Sequence, residues 1–249
     1  MNNEKSTSSE LPSHRLLEHI KNKDQFIEHL SIDCVILGFH DNTLKVLLPE
    51  FTGTEDFVLP GGYLRIDEGI DDAANRILFE RTGLKDIYLE QFACFGNSDR
   101  NVKETMMKFM KANNISDEDN PWVTQRFITI GYYALVDYTL VKPIENTPEA
   151  NTRWFDINEL PSIGFDHLEI IQKALENLRR ALDYKVVGSN LLPEKFTMKE
   201  LQSLYETILG KEIRRSNFQK KILDMEILER LEKKFTGAAN KAPYLYKFK

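Results

Sequence analysis

The sequence predicts a large α/β domain with a mixed sheet, followed by a small domain of two helices and a two-stranded hairpin. Three observations support this fold class. Strand-like apolar runs alternate with helical patterns up to about residue 184. Residues 186–195, rich in Gly, Ser, Asn and Pro, then interrupt the chain after a long helix. From Phe196 onward the pattern becomes helix, turn, helix and two short strands, which indicates a second domain.

We therefore expect three regions: a flexible or helical segment over 1–27, a first domain over 28–184 and a second over 185–249. The first 13 residues are polar and Ser-rich, without hydrophobic periodicity. Short helices are predicted before the first strand from two groups of apolar residues. These residues are Leu16, Leu17 and Ile20, then Phe26, Ile27 and Leu30.

The first domain is predicted to begin with a hairpin, which a helix follows. Residues 31–39 and 44–48 are strand-like, and Asp41-Asn42 marks the turn between them. A helix is predicted over 70–82, because apolar residues recur at helical spacing and Gly83 is placed to end it. Its expected buried face consists of Ile70, Ala73, Ala74, Ile77 and Leu78.

Three more strands and a long helix complete this domain. The strands are expected at 87–95, 127–138 and 152–155, and the helix at 167–183. Residues 102–121 are polar and Met-rich and predict a helical excursion that ends in an acidic loop. Excursions of this kind usually lie at the edge of a site or an interface.

Composition indicates two regions of opposite charge in one chain. The net charge is −6. Residues 185–249 contain 14 Lys and Arg against 8 Asp and Glu, a net of +6, so the remainder carries −12. Such asymmetry is typical of a nucleic-acid-binding part joined to an acidic part, although a solvated Lys-rich helix would give the same count.

The cysteines and the apolar runs predict a soluble cytoplasmic protein. Cys34 and Cys94 each lie in an apolar run and form no CxxC pair, so we expect buried, reduced thiols and a reducing compartment. No stretch approaches the roughly 18 apolar residues that span a membrane, and the N-terminus lacks the apolar core of a signal peptide.

The most specific motif runs from Gly62 to Leu84 and resembles the Nudix box of diphosphate hydrolases, G-x5-E-x7-R-E-U-x-E-E-x-G-U, where U is apolar. The first domain is therefore expected to have the Nudix fold. The mismatches fall at Ile77 and Arg81. The matching residues are Gly62, Glu68, Arg76, Leu78, Glu80, Gly83 and Leu84.

The resemblance implies that glutamates at positions 77, 80 and 81 hold the catalytic divalent cations in active members. Hard cations need several oxygen ligands, whereas this chain has an aliphatic side chain at Ile77 and a permanent positive charge at Arg81. We therefore expect no catalytic residues, no metal, no cofactor and no enzymatic activity. The alternative is a Mg²⁺-dependent Nudix hydrolase of nucleoside diphosphate derivatives, with ligands drawn from Asp67, Asp71 or Asp72.

The second domain has the pattern of a winged helix-turn-helix. A helix over 196–210 is capped by Thr197, with Glu200 completing a capping box. A basic helix over 215–225 follows, and it should bury Phe218, Ile222 and Leu223. Strands at 227–232 and 244–248 flank the basic loop 233–241, which is suited to be a wing.

This arrangement predicts contacts with double-stranded DNA. Arg, Asn and Gln side chains can bind base edges, while Lys mainly neutralises phosphates. The alternative is a winged-helix module used only for protein contacts. The candidate DNA-binding residues are Arg214, Arg215, Asn217, Gln219, Lys220 and Lys221 on the second helix, with Lys233, Lys234 and Lys241 on the wing.

A degenerate Nudix box joined to this C-terminal module resembles the family of Nudix-related transcriptional regulators, from about residue 28 onward. The resemblance implies a homodimeric regulator whose DNA affinity changes when an effector binds. That effector would be a sugar such as arabinose, in carbohydrate metabolism, or an ADP-ribose-like nucleotide. The excursion between Arg100 and Thr129 is longer than the family's usual link.

For the effector pocket we expect three residues near the lost metal site and four more with polar or stacking groups. A diphosphate is bound by cations and backbone N–H groups, whereas a sugar is bound by carboxylates, amides and an aromatic face. Alternatively, Asp99 and Arg100 form an ion pair, Trp154 belongs to the core and His167 only begins a helix. The candidates are Gly61, Gly62 and Arg81, with Asp99, Arg100, Trp154 and His167.

Overall fold

The computed structural model describes residues 22–83, 85, 87, 89–100, 102–116, 121–139, 141, 152–182, 191–234 and 242–249. The elements of the first domain are β1 (Phe26–His40), β2 (Thr43–Leu48), β3 (Gly61–Arg65), α1 (Ile70–Thr82), β4 (Leu89–Phe95), α2 (Lys103–Ala112), β5 (Ile128–Val136), β6 (Arg153–Asp156) and α3 (His167–Ala181). Those of the second are β7 (Phe196–Thr197), α4 (Met198–Leu209), α5 (Arg215–Asp224), β8 (Leu228–Lys233) and β9 (Tyr244–Phe248). None of the described helices is both long and apolar enough to cross a membrane.

The first domain is built on a mixed sheet, as the sequence predicts. Its strand order is β4-β5-β1-β2-β6, and β3 pairs with β1 beside β2. β1 and β5 are parallel, whereas the other pairs are antiparallel. β1 is the central strand, so its side chains reach the layers on both faces of the sheet.

The β1–β2 hairpin closes where the sequence places it. His40 pairs with Thr43, which leaves Asp41 and Asn42 as the two-residue turn. Both have positive φ angles, 49° and 58°. Positive φ at both central positions is the requirement of a type I′ turn, and Asn and Asp tolerate it better than most residues.

Alternate residues of β1 face two different helices. Ile32, Cys34 and Ile36 pack with α1, while Val35 and Leu37 pack with α3. The prediction of two buried thiols is correct for Cys34 and wrong for Cys94, which is exposed. Cys94 lies on β4, the edge strand of the sheet, where an apolar neighbourhood in sequence does not ensure burial.

Phe26, Ile27 and Leu30 belong to β1, so the helix predicted there is wrong. Phe26 is buried and pairs with Arg65 of β3, which makes this segment a strand, and Ile27 is exposed. The register with β3 shifts between Phe26 and Ser31. The other three residues of that prediction, Leu16, Leu17 and Ile20, lie outside the described part of the chain.

The excursion after Arg100 contains α2, as expected, and α2 builds a separate aromatic cluster. Met106, Phe109 and Met110 pack with Trp122 and Phe127 in a small core of their own. The acidic loop lies outside the described residues. In α1 the predicted buried face is confirmed except at Ile70, which begins the helix and is 39% exposed.

The second domain has the predicted helix-turn-helix and hairpin. Thr197 and Glu200 form the reciprocal capping box of α4, and Gly210 ends that helix at a φ of 67°. α5 buries Phe218 and Ile222. The expected burial of Leu223 is wrong, because Leu223 is 44% exposed. Phe218 and Ile222 are four residues apart and lie on the buried face of the helix, whereas Leu223 lies outside that face.

The two domains share one continuous hydrophobic core, which runs from the α3 face of the sheet to α4 and α5. Hydrogen bonds border it. Arg179 Nε of α3 donates to the Ile208 carbonyl of α4 at 2.8 Å. The hydroxyl of Thr207 donates to the Asn42 carbonyl at 3.0 Å, and Ser203 Oγ lies 2.8 Å from Asn42 Oδ1. The small domain is therefore seated on α3 and on the β1–β2 turn.

This shared core predicts cooperative unfolding. Leu204 of α4 is fully buried in it, so Leu204→Ala should lower the free energy of unfolding by about 3 kcal/mol. We expect one calorimetric transition that moves as a whole to lower temperature. Leu223→Ala on the exposed side of α5 is the control and should change it by less than about 0.5 kcal/mol. Two separate transitions, with only one displaced, would contradict a common core.

Candidate functional site

A buried carboxylate lies at the centre of the α3 face of the sheet. Asp33 lies between two fully buried apolar residues of β1, and although it carries a carboxylate it is itself only 7% exposed. Its Oδ2 lies 3.8 Å from Arg100 Nη2, and its Oδ1 lies 3.7 Å from His167 Nε2. A buried charge needs such partners, because desolvation costs several kcal/mol per ion.

Arg100 connects this carboxylate to the start of α3 and to β5. Its Nη2 donates to Asp166 Oδ1 at 3.0 Å, and its Nε donates to Oδ2 of the same residue, so the pair is bidentate. Its Nη1 donates to the Phe127 carbonyl at 2.9 Å and to Thr129 Oγ1 at 2.8 Å. Arg100 is thus a buried, fully engaged cation.

His167 is held as a neutral imidazole. Its Nδ1 accepts a hydrogen bond from the Leu59 N–H at 2.8 Å, so this nitrogen carries no proton. Burial lowers the pKa of His167, and the positive charge of Arg100 acts in the same direction, whereas Asp33 and Asp166 oppose them. The imidazole therefore fixes the backbone at Leu59, two residues before β3.

Gly61 and Gly62 begin β3; Gly61 has no room for a side chain, and a side chain at Gly62 would fit only tightly. A Cβ on Gly61 would lie 2.3 Å from Asp33 Oδ1, and one on Gly62 would lie 3.1 Å from Ile77 Cδ1. Gly61 thus leaves space for the Asp33 side chain of β1, and Gly62 lets β3 lie close to Ile77 of α1.

The loop between β3 and α1 is braced by the ion pair expected from the Nudix box. Arg76 Nε donates to Glu68 Oε2 at 2.9 Å, and Arg76 Nη2 donates to the Tyr63 carbonyl at 3.0 Å. Burial by itself raises the pKa of Glu68, but its hydrogen bonds with Arg76 and the Arg65 N–H outweigh this effect and lower the pKa overall.

The positions that hold metal in active Nudix enzymes do not fit a magnesium ion here. Ile77 is 1% exposed and packs against Gly62, so this position is part of the core. Glu80 Oε1 lies 3.6 Å from Arg76 Nη1. The side chain of Arg81 lies outside the described part of the structure. Within the described residues there is no cluster of three His, Cys, Asp or Glu side chains suited to a metal.

The structure brings some of the expected effector residues together and leaves others apart. Gly61, Arg100 and His167 surround Asp33. Asp99 is exposed, and the described acidic partners of Arg100 are Asp166 and Asp33, not Asp99. His167 does more than begin a helix, because its ring accepts a hydrogen bond from the backbone of Leu59.

Trp154 lies away from this group. It belongs to β6 and packs with the α1 side of the core. Its ring centre is 5.1 Å from that of Tyr138, and its Cη2 lies 3.0 Å from a Cβ built on Gly38. Gly38 is five residues beyond Asp33 on β1, roughly 16 Å along the strand. The core interpretation of Trp154 is therefore favoured over the pocket.

Sequence reasoning missed the residues that organise the site, Asp33, Thr129 and Asp166. Asp33 carried a usable signal, because an acid within the apolar run SIDCVILGF requires a buried partner if the strand is central. Thr129 and Asp166 gave no comparable signal, since nothing local in the sequence connects them to Arg100.

The second domain presents a basic helix surface. Arg214 immediately precedes α5, and no acidic residue lies in its first turn. Gln219 is half-buried, and the described wing lysines, Lys233 and Lys234, are exposed, whereas Lys241 lies outside the described residues. The exposed candidates at this helix are Arg214, Arg215, Asn217, Lys220 and Lys221.

Comparison with known families matches both domains. The sequence model of the NUDIX domain family matches residues 28–174, and that of the NrtR DNA-binding winged helix domain matches residues 188–248. Among curated proteins, the chain is similar to the ADPR responsive transcriptional repressor NtrR of Acinetobacter baylyi. The two are 26% identical over 227 residues, which cover 88% of this chain and 81% of the relative.

Solved structures agree with this match. NrtR of Shewanella oneidensis superposes with a TM-score of 0.70 at 27% identity, covering 89% of this chain and 94% of the other. The same protein complexed with a 27mer DNA gives a TM-score of 0.69, with the same identity and coverage. A MutT/nudix family protein from Enterococcus faecalis, 21% identical, has a TM-score of 0.65 with full coverage of both chains, which shows a shared fold.

The neutral imidazole predicts a specific pH dependence of stability. His167 has a folded pKa below its ordinary value of 6.5. Below about pH 6.5 the unfolded chain therefore binds a proton that the folded chain excludes, and stability falls by at most about 1.4 kcal/mol per pH unit. Above that pH the contribution is fully present.

His167→Asn is the matched variant, because its Oδ1 can accept the Leu59 N–H without titrating. Denaturant unfolding at pH 7.5 and 5.5 should show that the wild type loses more stability than the variant over this interval. Equal losses in both proteins would show that His167 is protonated as readily in the folded state as in the unfolded state.

Proposed function

Because the chain belongs to the family of Nudix-related transcriptional regulators, we propose that it is a homodimeric, ligand-responsive repressor that binds operator DNA. The effector-binding part would be residues 28–184 and the DNA-binding part residues 185–249. The observation that carries this proposal is α5, an exposed basic helix without acids in its first turn, seated on a Nudix-type domain in which Ile77 and Arg81 replace two glutamates of the Nudix box. A helix of this kind suits the major groove of DNA.

The residues of α5 divide by chemistry into base-contacting and phosphate-contacting groups. Arg215 and Asn217 lie in its first turn, the part of a recognition helix that contacts base edges. Gln219 has the same capacity but is half-buried. Lys220 and Lys221 are suited to neutralise backbone phosphates and so to position the helix.

For the effector we propose an ADP-ribose-like nucleotide. Two observations support it: a curated relative is named as ADPR responsive, and a permanent cation, Arg81, replaces a metal ligand. In this proposal Arg81 binds the diphosphate, the backbone of Gly61 and Gly62 lies beside it, and Asp99 accepts from a ribose hydroxyl. Arg100 and His167 support Gly61 from the α3 face of the sheet, through their contacts with Asp33 and Leu59. A pentose such as arabinose is the alternative effector.

We propose that effector occupancy is coupled to DNA affinity through α3. Its N-terminal end carries Asp166 and His167, which bond to Arg100 and to Leu59. Its last turn carries Arg179, which bonds to α4. This helix of 15 residues is roughly 22 Å long and connects the two sites directly. A shift at Arg100 or Leu59 would therefore move α4 and, with it, α5.

We also propose that the first domain does not hydrolyse its ligand. Ile77 supplies no oxygen ligand and Arg81 carries positive charge, so two of the three metal-ligand positions of the Nudix box are lost. Glu80 alone is retained there. Mg²⁺-dependent release of phosphate products from ADP-ribose at ordinary enzyme rates would instead establish the hydrolase alternative.

The DNA-binding proposal predicts specific, salt-dependent binding to DNA from upstream of the protein's own gene. Fluorescence anisotropy should give an affinity that falls steeply with salt. Arg215→Ala or Asn217→Ala should weaken specific binding by roughly tenfold or more and bring it closer to binding of unrelated DNA. Arg126→Ala, an exposed arginine of the first domain, is the control. No binding by the wild type would overturn the proposal.

The effector proposal predicts that ADP-ribose changes this DNA affinity and that Arg81 is required for the response. Arg81→Glu should leave DNA binding intact and remove the effect of ADP-ribose, since a carboxylate repels a diphosphate. Lys108→Glu, on the exposed side of α2, is the charge-reversal control. A normal response in Arg81→Glu would remove Arg81 from the site. A response to arabinose but not to ADP-ribose would replace the proposed effector class.

A further inference from the structure

The hairpin of the second domain has two unlike faces. Arg230 of β8 lies opposite Tyr246 of β9, and Tyr246 is buried in the core shared with α4 and α5. Cross-strand partners lie on one face of a hairpin, so Arg230 is on the side that carries the helices. Glu229 and Lys247, the neighbouring pair, lie on the opposite face and bond to each other at 3.0 Å.

Several lysines at this hairpin are already neutralised within the protein. Lys234 Nζ lies 3.1 Å from Glu200 Oε1, the same glutamate that caps α4. Lys195 Nζ lies 3.0 Å from Glu232 Oε1. A phosphate would have to displace a carboxylate from each of these lysines. Lys234, which the sequence singles out for DNA contact, therefore has an acidic partner within the protein.

Arg230 differs from these lysines because it contacts an aromatic ring instead of a carboxylate. Its guanidinium carbon lies 3.3 Å from the centre of the Tyr244 ring, and within the described part of the chain no carboxylate pairs with it. Lys233 Nζ lies 5.3 Å from the same ring centre. Stacking uses the flat face of a guanidinium, so the N–H groups in its plane stay available to two oxygens of one phosphate.

Arg230 also lies beside the wing. The Lys234 N–H donates to the Pro243 carbonyl at 2.8 Å, which joins the two strands where they enter the loop. Arg230 is four residues before this point and Tyr244 is one residue after Pro243. The stacked pair is thus built on paired strands, and the ring limits the rotamers of the arginine before any ligand arrives.

We propose that Arg230, held over Tyr244, binds a backbone phosphate of DNA, and that Tyr244 is its positioning residue. This inference rests on the proposed DNA binding and adds a contact that charge counting along the sequence did not select. Because a phosphate is the same at every base pair, Arg230 should strengthen binding to all DNA sequences equally.

The test is the salt dependence of DNA affinity, measured for specific and unrelated duplexes. Arg230→Ala should weaken both by about tenfold and reduce the magnitude of the slope of log K against log salt by about 1. Arg230→Lys keeps the charge but loses the stacked fork, so it should restore the slope but only part of the affinity. Tyr244→Phe should bind like the wild type, whereas Tyr244→Leu should lose affinity with an unchanged fold.

Lys195→Ala is the matched control, because it removes an exposed cation of this domain that is already paired with an acid. It should leave affinity and slope unchanged. Thermal unfolding of each variant separates loss of contact from loss of fold. If the wild type binds DNA and Arg230→Ala binds with the same slope, the inference about Arg230 fails alone. If the wild type does not bind DNA, the proposed function fails with it.

Discussion

The buried charge of Asp33 is the constraint on which the arrangement of the first domain depends. An unpaired carboxylate in the interior costs several kcal/mol, and its partners here come from distant parts of the chain. Arg100 follows β4, and His167 begins α3. Gly61 must lack a side chain because the carboxylate occupies that space. One side chain therefore fixes where β3, the segment after β4 and α3 meet.

The same network gives α3 its position relative to the second domain. Arg100 holds Asp166 at one end of the helix, and Arg179 holds α4 at the other. The core between the domains is continuous, so α3 and α4 are joined by packed side chains as well as by this hydrogen bond. Coupling between two sites requires an element whose position both ligands affect, and we propose α3 for that role because it contacts both domains.

Local patterns in the sequence predicted local structure well. The bounds of α1 follow from apolar spacing and Gly83, and the start of α4 follows from Thr197 and Glu200. The helix predicted over Phe26 to Leu30 was wrong, because the apolar spacing of this segment fits a short helix and only its pairing with β3 makes it a strand. The Asp33 network was missed for a related reason: its members are joined only by the tertiary fold. Arg100 and His167 were selected as ligand contacts, whereas in the structure the guanidinium of Arg100 and Nδ1 of His167 bond to the protein itself.

Reciprocal linkage provides the most direct test of a regulator whose two sites are coupled through α3. If ADP-ribose weakens binding to operator DNA by a given factor, then DNA must weaken binding of ADP-ribose by the same factor. Calorimetric titration of ADP-ribose into the free protein and into the DNA-saturated protein measures that factor. Coupling of this kind predicts a lower affinity in the presence of DNA, with ADP-ribose recovered intact. Equal affinities with and without DNA, or no binding in either case, would contradict it.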